Sequence, residues 1–165
     1  MVFKYTHPGF LGGVAGTISS TSCIPDMTGY TTPSGEVQDN GNVTHPAWQA
    51  FDRDDATHTE NQFSINETSL RYEFTTGQTA VGWSVTVGSV PCDAHCTLLG
   101  SNDGIRHSAT QLDSQYGRTW VDGTKQTFYF PNGTDYTFFH FYFTSSGAYG
   151  TNNPQIKSIE LFCET

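Results

Sequence analysis

Short segments with the alternation of a β-strand recur along this chain, separated by turn-forming residues. Residues 70–74 read LRYEF, which alternates apolar and polar side chains, and a turn signal follows at Thr76 and Gly77. Residues 81–87 place valines and a tryptophan at every second position. Because successive side chains of a strand point to opposite faces, each pattern predicts a strand with one buried face.

Further segments of the same kind follow towards the C-terminus. Residues 127–130 (TFYF) end at a Pro-Asn-Gly turn, and residues 156–161 carry the apolar positions of a final strand. Residues 136–143 are aromatic on both faces, which is typical of a strand between two layers. Strands this short, with no long helix between them, predict an all-β protein: an antiparallel β-sandwich of the jelly-roll type.

The balance of charge excludes two classes of partner. The 165 residues carry 7 basic and 16 acidic side chains, which gives a formal net charge of −9. A chain this acidic lacks the basic surface that holds phosphates, so we expect no nucleic-acid partner and no anionic membrane surface. No apolar run is long enough for a membrane-spanning helix, so we also expect no membrane insertion.

Residues 1–22 differ from the rest, and we interpret them as an extended N-terminal arm ahead of a domain at residues 23–165. Glycines at 12, 13 and 16 make ordering of this segment costly. It nevertheless carries more large apolar side chains than a linker needs, namely Phe3, Tyr5, Phe10 and Leu11. We therefore expect the arm to bind a neighbouring protein subunit; the alternative is a disordered tail.

Four local patterns occur in the order of a known family. They are residues 50–57 (AFDRDDAT), 70–74 (LRYEF), 99–104 (LGSNDG) and 159–163 (IELFC). In this order they resemble the discoidin family, also called the coagulation factor V/VIII type C domain. Family 32 carbohydrate-binding modules share its galactose-binding-like fold. The resemblance covers about residues 23–163 and implies two antiparallel sheets, with ligands bound by loops at one end.

An acidic loop is the candidate metal site. Asp52, Asp54 and Asp55 lie within four residues, with Thr57 just beyond. Calcium binds roughly six to eight oxygens, so one further carboxylate must come from elsewhere. The resemblance implies that Glu160 supplies it, which makes Asp54, Thr57 and Glu160 the expected ligands of a structural Ca²⁺. Asp52 is expected to cap the loop by hydrogen bonds, and the alternative is a solvated turn without a metal.

The four cysteines favour disulfides and an oxidising location. The resemblance implies a terminal bridge between Cys23 and Cys163. Cys92 and Cys96 are close enough in sequence to close a second, small ring. Two alternatives remain open, namely reduced buried cysteines and a zinc site. The zinc ligands would be Cys92, Cys96, His95 and His107.

Catalytic signatures are missing from the sequence, and we predict that the protein is not an enzyme. There is no nucleophile elbow, no HExxH motif and no phosphate-binding loop. Asp52 and Asp54 lie too close together on one turn to flank a glycosidic bond.

Sugar binding requires an aromatic platform and planar polar groups that bind hydroxyls. Tyr149 or Trp120 would stack on the sugar ring, and Arg106, His107 and Asn152 would donate or accept hydrogen bonds. For Trp120 the alternative is a place in the core. We therefore expect a module that binds a glycan or glycoprotein, at an extracellular or virion surface and with a role such as cell adhesion. The alternative is a decoration or fibre protein of a virus or phage particle, anchored by its arm.

Overall fold

The computed structural model describes residues 21–38, 42, 44–60, 67–89, 95–145 and 153–164. Within these residues the chain forms eight strands and two short 3-10 helices. The strands are β1 (Glu36–Val37), β2 (Glu67–Gln78), β3 (Ala80–Val87), β4 (His95–Ser101), β5 (Thr110–Tyr116), β6 (Lys125–Tyr129), β7 (Tyr136–Thr144) and β8 (Ile156–Cys163). The helices are η1 (Ala47–Phe51) and η2 (Arg106–Ser108). Neither helix is long enough to cross a membrane.

The strands form two antiparallel sheets that pack face to face. One sheet has the order β1-β2-β7-β4-β5, and the other has the order β6-β3-β8. Strands distant in sequence are neighbours, since β7 pairs with both β2 and β4. The predicted all-β antiparallel sandwich is confirmed.

The core lies between the sheets and follows the alternation of the strands. On β2, Thr68, Leu70, Tyr72 and Phe74 are buried, and the residues between them are partly exposed. Trp83 of β3 is fully buried and lies against Phe141 of β7, with ring centroids 6.0 Å apart. Its indole Nε1 donates a 2.8 Å hydrogen bond to Asp113 Oδ2 on β5, so one side chain links the two sheets.

Strand β7 was predicted to lie between two layers, but one of its faces forms the outer side of the five-stranded sheet. Its inward rings, Phe139, Phe141 and Phe143, are fully buried between the sheets. Its other face carries Phe138, His140 and Tyr142, which lie on the outer side of the five-stranded sheet. Arginine side chains lie over the outer rings, Arg71 over Phe138 and Arg106 over Tyr142. The aromatic residues of β7 therefore face the core on one side of the sheet and polar side chains on the other.

The two ends of the domain lie side by side. Cys23 and Cys163 form a disulfide with a Cα–Cα distance of 5.9 Å, which confirms the bridge that the resemblance implies. The predicted arm lies outside the described residues except for its last two, of which Ser22 accepts a hydrogen bond from the Leu161 amide. Cys96 is buried on β4, and Cys92 lies outside the described residues. The Cys92–Cys96 bridge therefore stays a prediction.

Candidate functional site

One end of the sandwich brings together the starts of β2, β4 and β8 with the end of β7. Thr144 of β7 pairs with Glu67 of β2 and with His95 of β4. The Glu67 amide donates a 3.3 Å hydrogen bond to Asn153 Oδ1 just before β8. Residues 146–152 lie outside the described residues, but the described residues on either side of them are both close to Glu67. We refer to this end of the sandwich as the ligand end.

The turn after β4 is held in place by two polar side chains. Asn102 Oδ1 accepts hydrogen bonds from the amide and hydroxyl of Thr137, at 2.9 and 3.2 Å. Asp103 accepts hydrogen bonds from the Ile105 amide at 2.9 Å and the Ser108 hydroxyl at 2.8 Å. These bonds hold the pKa of the Asp103 carboxyl below its usual value. The turn therefore presents η2 in a defined position.

Arg106, at the start of η2, joins a cluster with Glu67 and Tyr142. Its Nη1 lies 3.3 Å from Glu67 Oε1, and its guanidinium carbon lies 4.6 Å from the centre of the Tyr142 ring. The Tyr142 hydroxyl donates a 3.1 Å hydrogen bond to Glu67 Oε2. Burial and the Glu67 carboxylate both raise the pKa of Tyr142, so this phenol stays neutral. The Arg106 and Glu67 side chains are 35% and 28% exposed, so a ligand can reach both from solvent.

A second arginine lies next to this cluster. The guanidinium carbon of Arg71 lies 5.2 Å from the centre of the Phe138 ring, and its Nη1 donates to the Gly104 carbonyl. Gly104 has a φ of +72°, which favours glycine, and a Cβ there would meet Phe138 and Arg71. His140 is 4% exposed, and its Nε2 lies 3.2 Å from Ser101 Oγ. The outer face of β2 and β7 is therefore a continuous polar and aromatic surface.

His140 predicts an acid-sensitive stability. Burial, together with Arg71 and Arg106, lowers its pKa from 6.5 to about 4. The unfolded chain therefore binds a proton below about pH 6.5 that the folded protein does not bind until about pH 4, so stability falls as the pH falls through this window. We expect the wild type to lose on the order of 2–3 kcal/mol more than His140→Gln between pH 7.5 and 4.5. Urea unfolding at both pH values measures the difference.

The other titratable groups near His140 are Arg71, Arg106 and Asp103. The arginines stay charged over the whole pH range, and both proteins share Asp103, so their contributions cancel in the comparison. Equal losses of stability in the wild type and His140→Gln would contradict the lowered pKa of His140 as the cause of the acid sensitivity.

The structure brings together some of the ligand residues expected from the sequence. Arg106 and His107 both lie on η2, and His107 is exposed. Trp120 is only 9% exposed and packs against Phe128, which favours the core alternative for this residue. Tyr149 and Asn152 lie outside the described residues. The Glu67 and Tyr142 partners of Arg106 were not predicted from the sequence, although their outward positions on two strands agree with the alternation there.

The acidic loop after η1 is closed by its own hydrogen bonds. Asp52 Oδ1 accepts from the Asp54 amide and Oδ2 accepts from the Thr57 hydroxyl, both at 2.9 Å. Asp54 Oδ1 accepts from the Ala56 amide, and the Asp54 carbonyl accepts from the Thr57 hydroxyl. Asp52 thus caps the loop in the manner expected. Burial raises the pKa of Asp52.

Glu160, the third expected calcium ligand, has other partners in this arrangement. Its Oε2 lies 2.6 Å from Lys125 Nζ and accepts a 2.9 Å hydrogen bond from Ser84 Oγ. Although the side chain is partly buried, these partners hold the pKa of Glu160 below its usual value. The calcium site with Asp54, Thr57 and Glu160 as ligands stays a prediction.

Solved carbohydrate-binding modules share this architecture. Chitosan-binding module 1 of a Paenibacillus sp. IK-5 chitosanase/glucanase has a TM-score of 0.64 and 15% identity, covering 85% of this chain and 97% of that chain. The CBM62 of Clostridium thermocellum Xyl5A has a TM-score of 0.65 and 18% identity, covering 79% and 95%. This chain has the β-sandwich fold of these modules. The family 32 module of Clostridium perfringens NanJ, solved with galactose, has a TM-score of 0.59 and 13% identity, covering 78% and 92%.

The likeness to these carbohydrate-binding modules concerns the fold. No family model and no curated protein matches the chain. The resemblance found in the sequence is confirmed at this level, since family 32 modules are among the similar structures. The alternative of a virus or phage decoration protein gains no support from these comparisons.

Proposed function

We propose that this protein is a non-catalytic carbohydrate-binding domain and that glycans bind at the Glu67–Arg106–Tyr142 cluster. The observation that carries the proposal is the shared contact of one guanidinium with a carboxylate and an aromatic ring at the ligand end. The expected extracellular location suits the terminal disulfide, because such bridges persist in oxidising environments.

The chemistry of the cluster matches that of sugar hydroxyls. Neighbouring hydroxyls on a sugar ring each donate and accept, so they pair with a carboxylate and a guanidinium side by side. Glu67 and Arg106 offer both groups, and their mutual contact uses only part of their hydrogen-bonding capacity. Because Tyr142 already holds both side chains, binding orders few new rotamers, which favours affinity.

The surroundings of the cluster supply the remaining elements of a sugar site. Ile105, next to Arg106, is 55% exposed and offers an apolar contact, and His107 is exposed on the same turn. Tyr149 and Asn152 belong to the segment whose described neighbours lie beside Glu67. Similar modules were solved with galactose and with GalNAc-β-1,3-galactose, so galactose-containing glycans are the first to test.

Arg106→Ala tests the proposal once a glycan array has supplied the best ligand. We expect its dissociation constant to rise about tenfold or more, because each charged hydrogen bond contributes roughly 1.5–3 kcal/mol. Titration calorimetry of both proteins measures the change. The matched control is Arg118→Ala, since Arg118 also lies over an aromatic ring, at 5.1 Å from the Phe128 centroid, but belongs to another loop. Unchanged affinity in a folded Arg106→Ala protein would contradict the proposed site.

A further inference from the structure

A second cluster at the ligand end consists of His45, His58 and Glu60. The nitrogen and carboxylate oxygen atoms that these side chains offer all lie within 4.8 Å of one another. The two imidazole rings stack, with centroids 4.1 Å apart and an interplanar angle of 24°. All three residues are partly buried, so the group is neither a solvated surface patch nor part of the core.

The backbone segments that carry the cluster are locked together. Asn42 Oδ1 accepts a 3.0 Å hydrogen bond from the His45 amide, and its Nδ2 donates to the Glu60 carbonyl at 3.2 Å. Thr59 Oγ1 donates to the His45 carbonyl at 2.9 Å. Thr59 also exchanges two backbone hydrogen bonds with Ile156 at the start of β8, at 2.8 and 2.9 Å. These hydrogen bonds hold the backbone segments in fixed positions, so the three side chains form a rigid, preformed site.

In His58 of this cluster, the ring nitrogen Nε2 is buried and has no hydrogen-bond partner among the described residues. A buried polar atom of this kind is rare, and a bound ion is one of its ordinary explanations. An imidazole nitrogen is the commonest protein ligand of transition metals.

We propose that His45, His58 and Glu60 bind a divalent transition-metal ion, with Zn²⁺ as the preferred metal. Two imidazoles and one carboxylate are a donor set that zinc uses, with a fourth position left for water, whereas calcium prefers oxygen alone. Tetrahedral zinc, at about 2.0–2.2 Å from each ligand, requires donor atoms roughly 3.3–3.5 Å apart. Binding would therefore draw the three donor atoms, which now lie within 4.8 Å of one another, closer together. The ion would fasten His45 to residues 58–60 at the ligand end.

Titration calorimetry of the tag-free oxidised protein with zinc chloride tests the site. We expect one zinc per chain and a rise in melting temperature of about 5–10 °C when zinc exceeds its dissociation constant by about 100-fold. His45→Ala and Glu60→Gln should each raise the dissociation constant about tenfold or more. The matched control is His95→Gln, since His95 belongs to the alternative cysteine-rich zinc set and should leave binding unchanged.

Nitrogen-15 NMR of the histidine rings adds a spectroscopic readout of zinc binding on the wild-type protein. Zinc should shift ring nitrogens of two histidines, those that His45→Ala and His58→Ala remove from the spectrum. No zinc binding, zinc shifts confined to His95 or His107, or full binding by His45→Ala and Glu60→Gln would overturn the proposal. Arg106→Ala should bind zinc normally, so the outcome is separate from that of the glycan experiment.

Discussion

Replacing both Cys23 and Cys163 by serine is expected to lower the free energy of unfolding by roughly 5 kcal/mol. The bridge spans a sequence separation of 140 residues, so it removes much of the conformational freedom of the unfolded chain. The bridged ends are also joined by the 2.7 Å hydrogen bond from the Cys23 amide to the Leu161 carbonyl. Urea unfolding at pH 7 of the oxidised wild type and the double variant measures the loss.

Ser22→Ala is the control for the non-covalent contacts beside the disulfide. It removes the hydroxyl that accepts from the Leu161 amide but keeps the covalent bridge, so we expect a loss of only about 1 kcal/mol. If the double-serine variant lost no more than Ser22→Ala, the ends would be held by non-covalent contacts, and the stabilising role assigned to the bridge would be wrong.

Trp83→Ala is expected to destabilise the domain by about 3–5 kcal/mol. Trp83 is fully buried in the three-stranded sheet and faces Phe141 and Phe143 across the core. Its removal leaves a cavity and takes away the hydrogen bond to Asp113 on the other sheet. The midpoint of denaturant unfolding should fall in proportion.

Trp83→Phe separates the two contributions to this loss. Phenylalanine keeps most of the buried ring but leaves the Asp113 carboxylate without the indole donor, so we expect a loss of about 1–3 kcal/mol. Tyr116→Ala serves as the surface control, because this side chain is 79% exposed, and its effect should stay within about 0.5 kcal/mol. A Trp83→Ala protein as stable as Tyr116→Ala would contradict the central place of Trp83 in the core.

Much of the fold follows from local patterns. The alternation at residues 70–74 and 81–87 predicted β2 and β3, and β2 buries every second residue of its pattern as expected. The expectation of one buried face was wrong for β3, which is buried at every position. The order of the strands in each sheet did not follow from any local pattern. Strand β7 pairs with β2 and β4, both distant in sequence, and aromatic residues on both its faces are equally compatible with a fully buried strand.

The candidate site was accessible from the sequence only in part. Arg106 could be found because the turn before it is recognisable. Its partners Glu67 and Tyr142 could not, because only the pairing of Glu67 with Thr144 places the start of β2 beside the end of β7. Trp120 was open to two interpretations because an isolated tryptophan in a loop gives no periodicity to decide between core and surface.

The cluster of His45, His58 and Glu60 could not be predicted from the sequence either. His45 and His58 are separated by η1 and the acidic loop, and no motif connects them. Their proximity results from the hydrogen bonds of Thr59 and Asn42, which hold His45 beside Thr59 and Asn42 beside Glu60. Side-chain hydrogen bonds of this kind depend on the tertiary fold, so spacing alone does not reveal them.

Mapping the bound glycan by amide NMR tests the proposed binding site most directly. The best ligand from a glycan array is titrated into nitrogen-15-labelled protein, and the perturbed amides are placed on the structure. We expect the largest changes at Glu67, Arg106 and Tyr142, with none at Tyr129 on the outer face of the other sheet. An array without any bound glycan, or changes that spare η2 and the start of β2, would contradict the proposal that this domain binds glycans at that cluster.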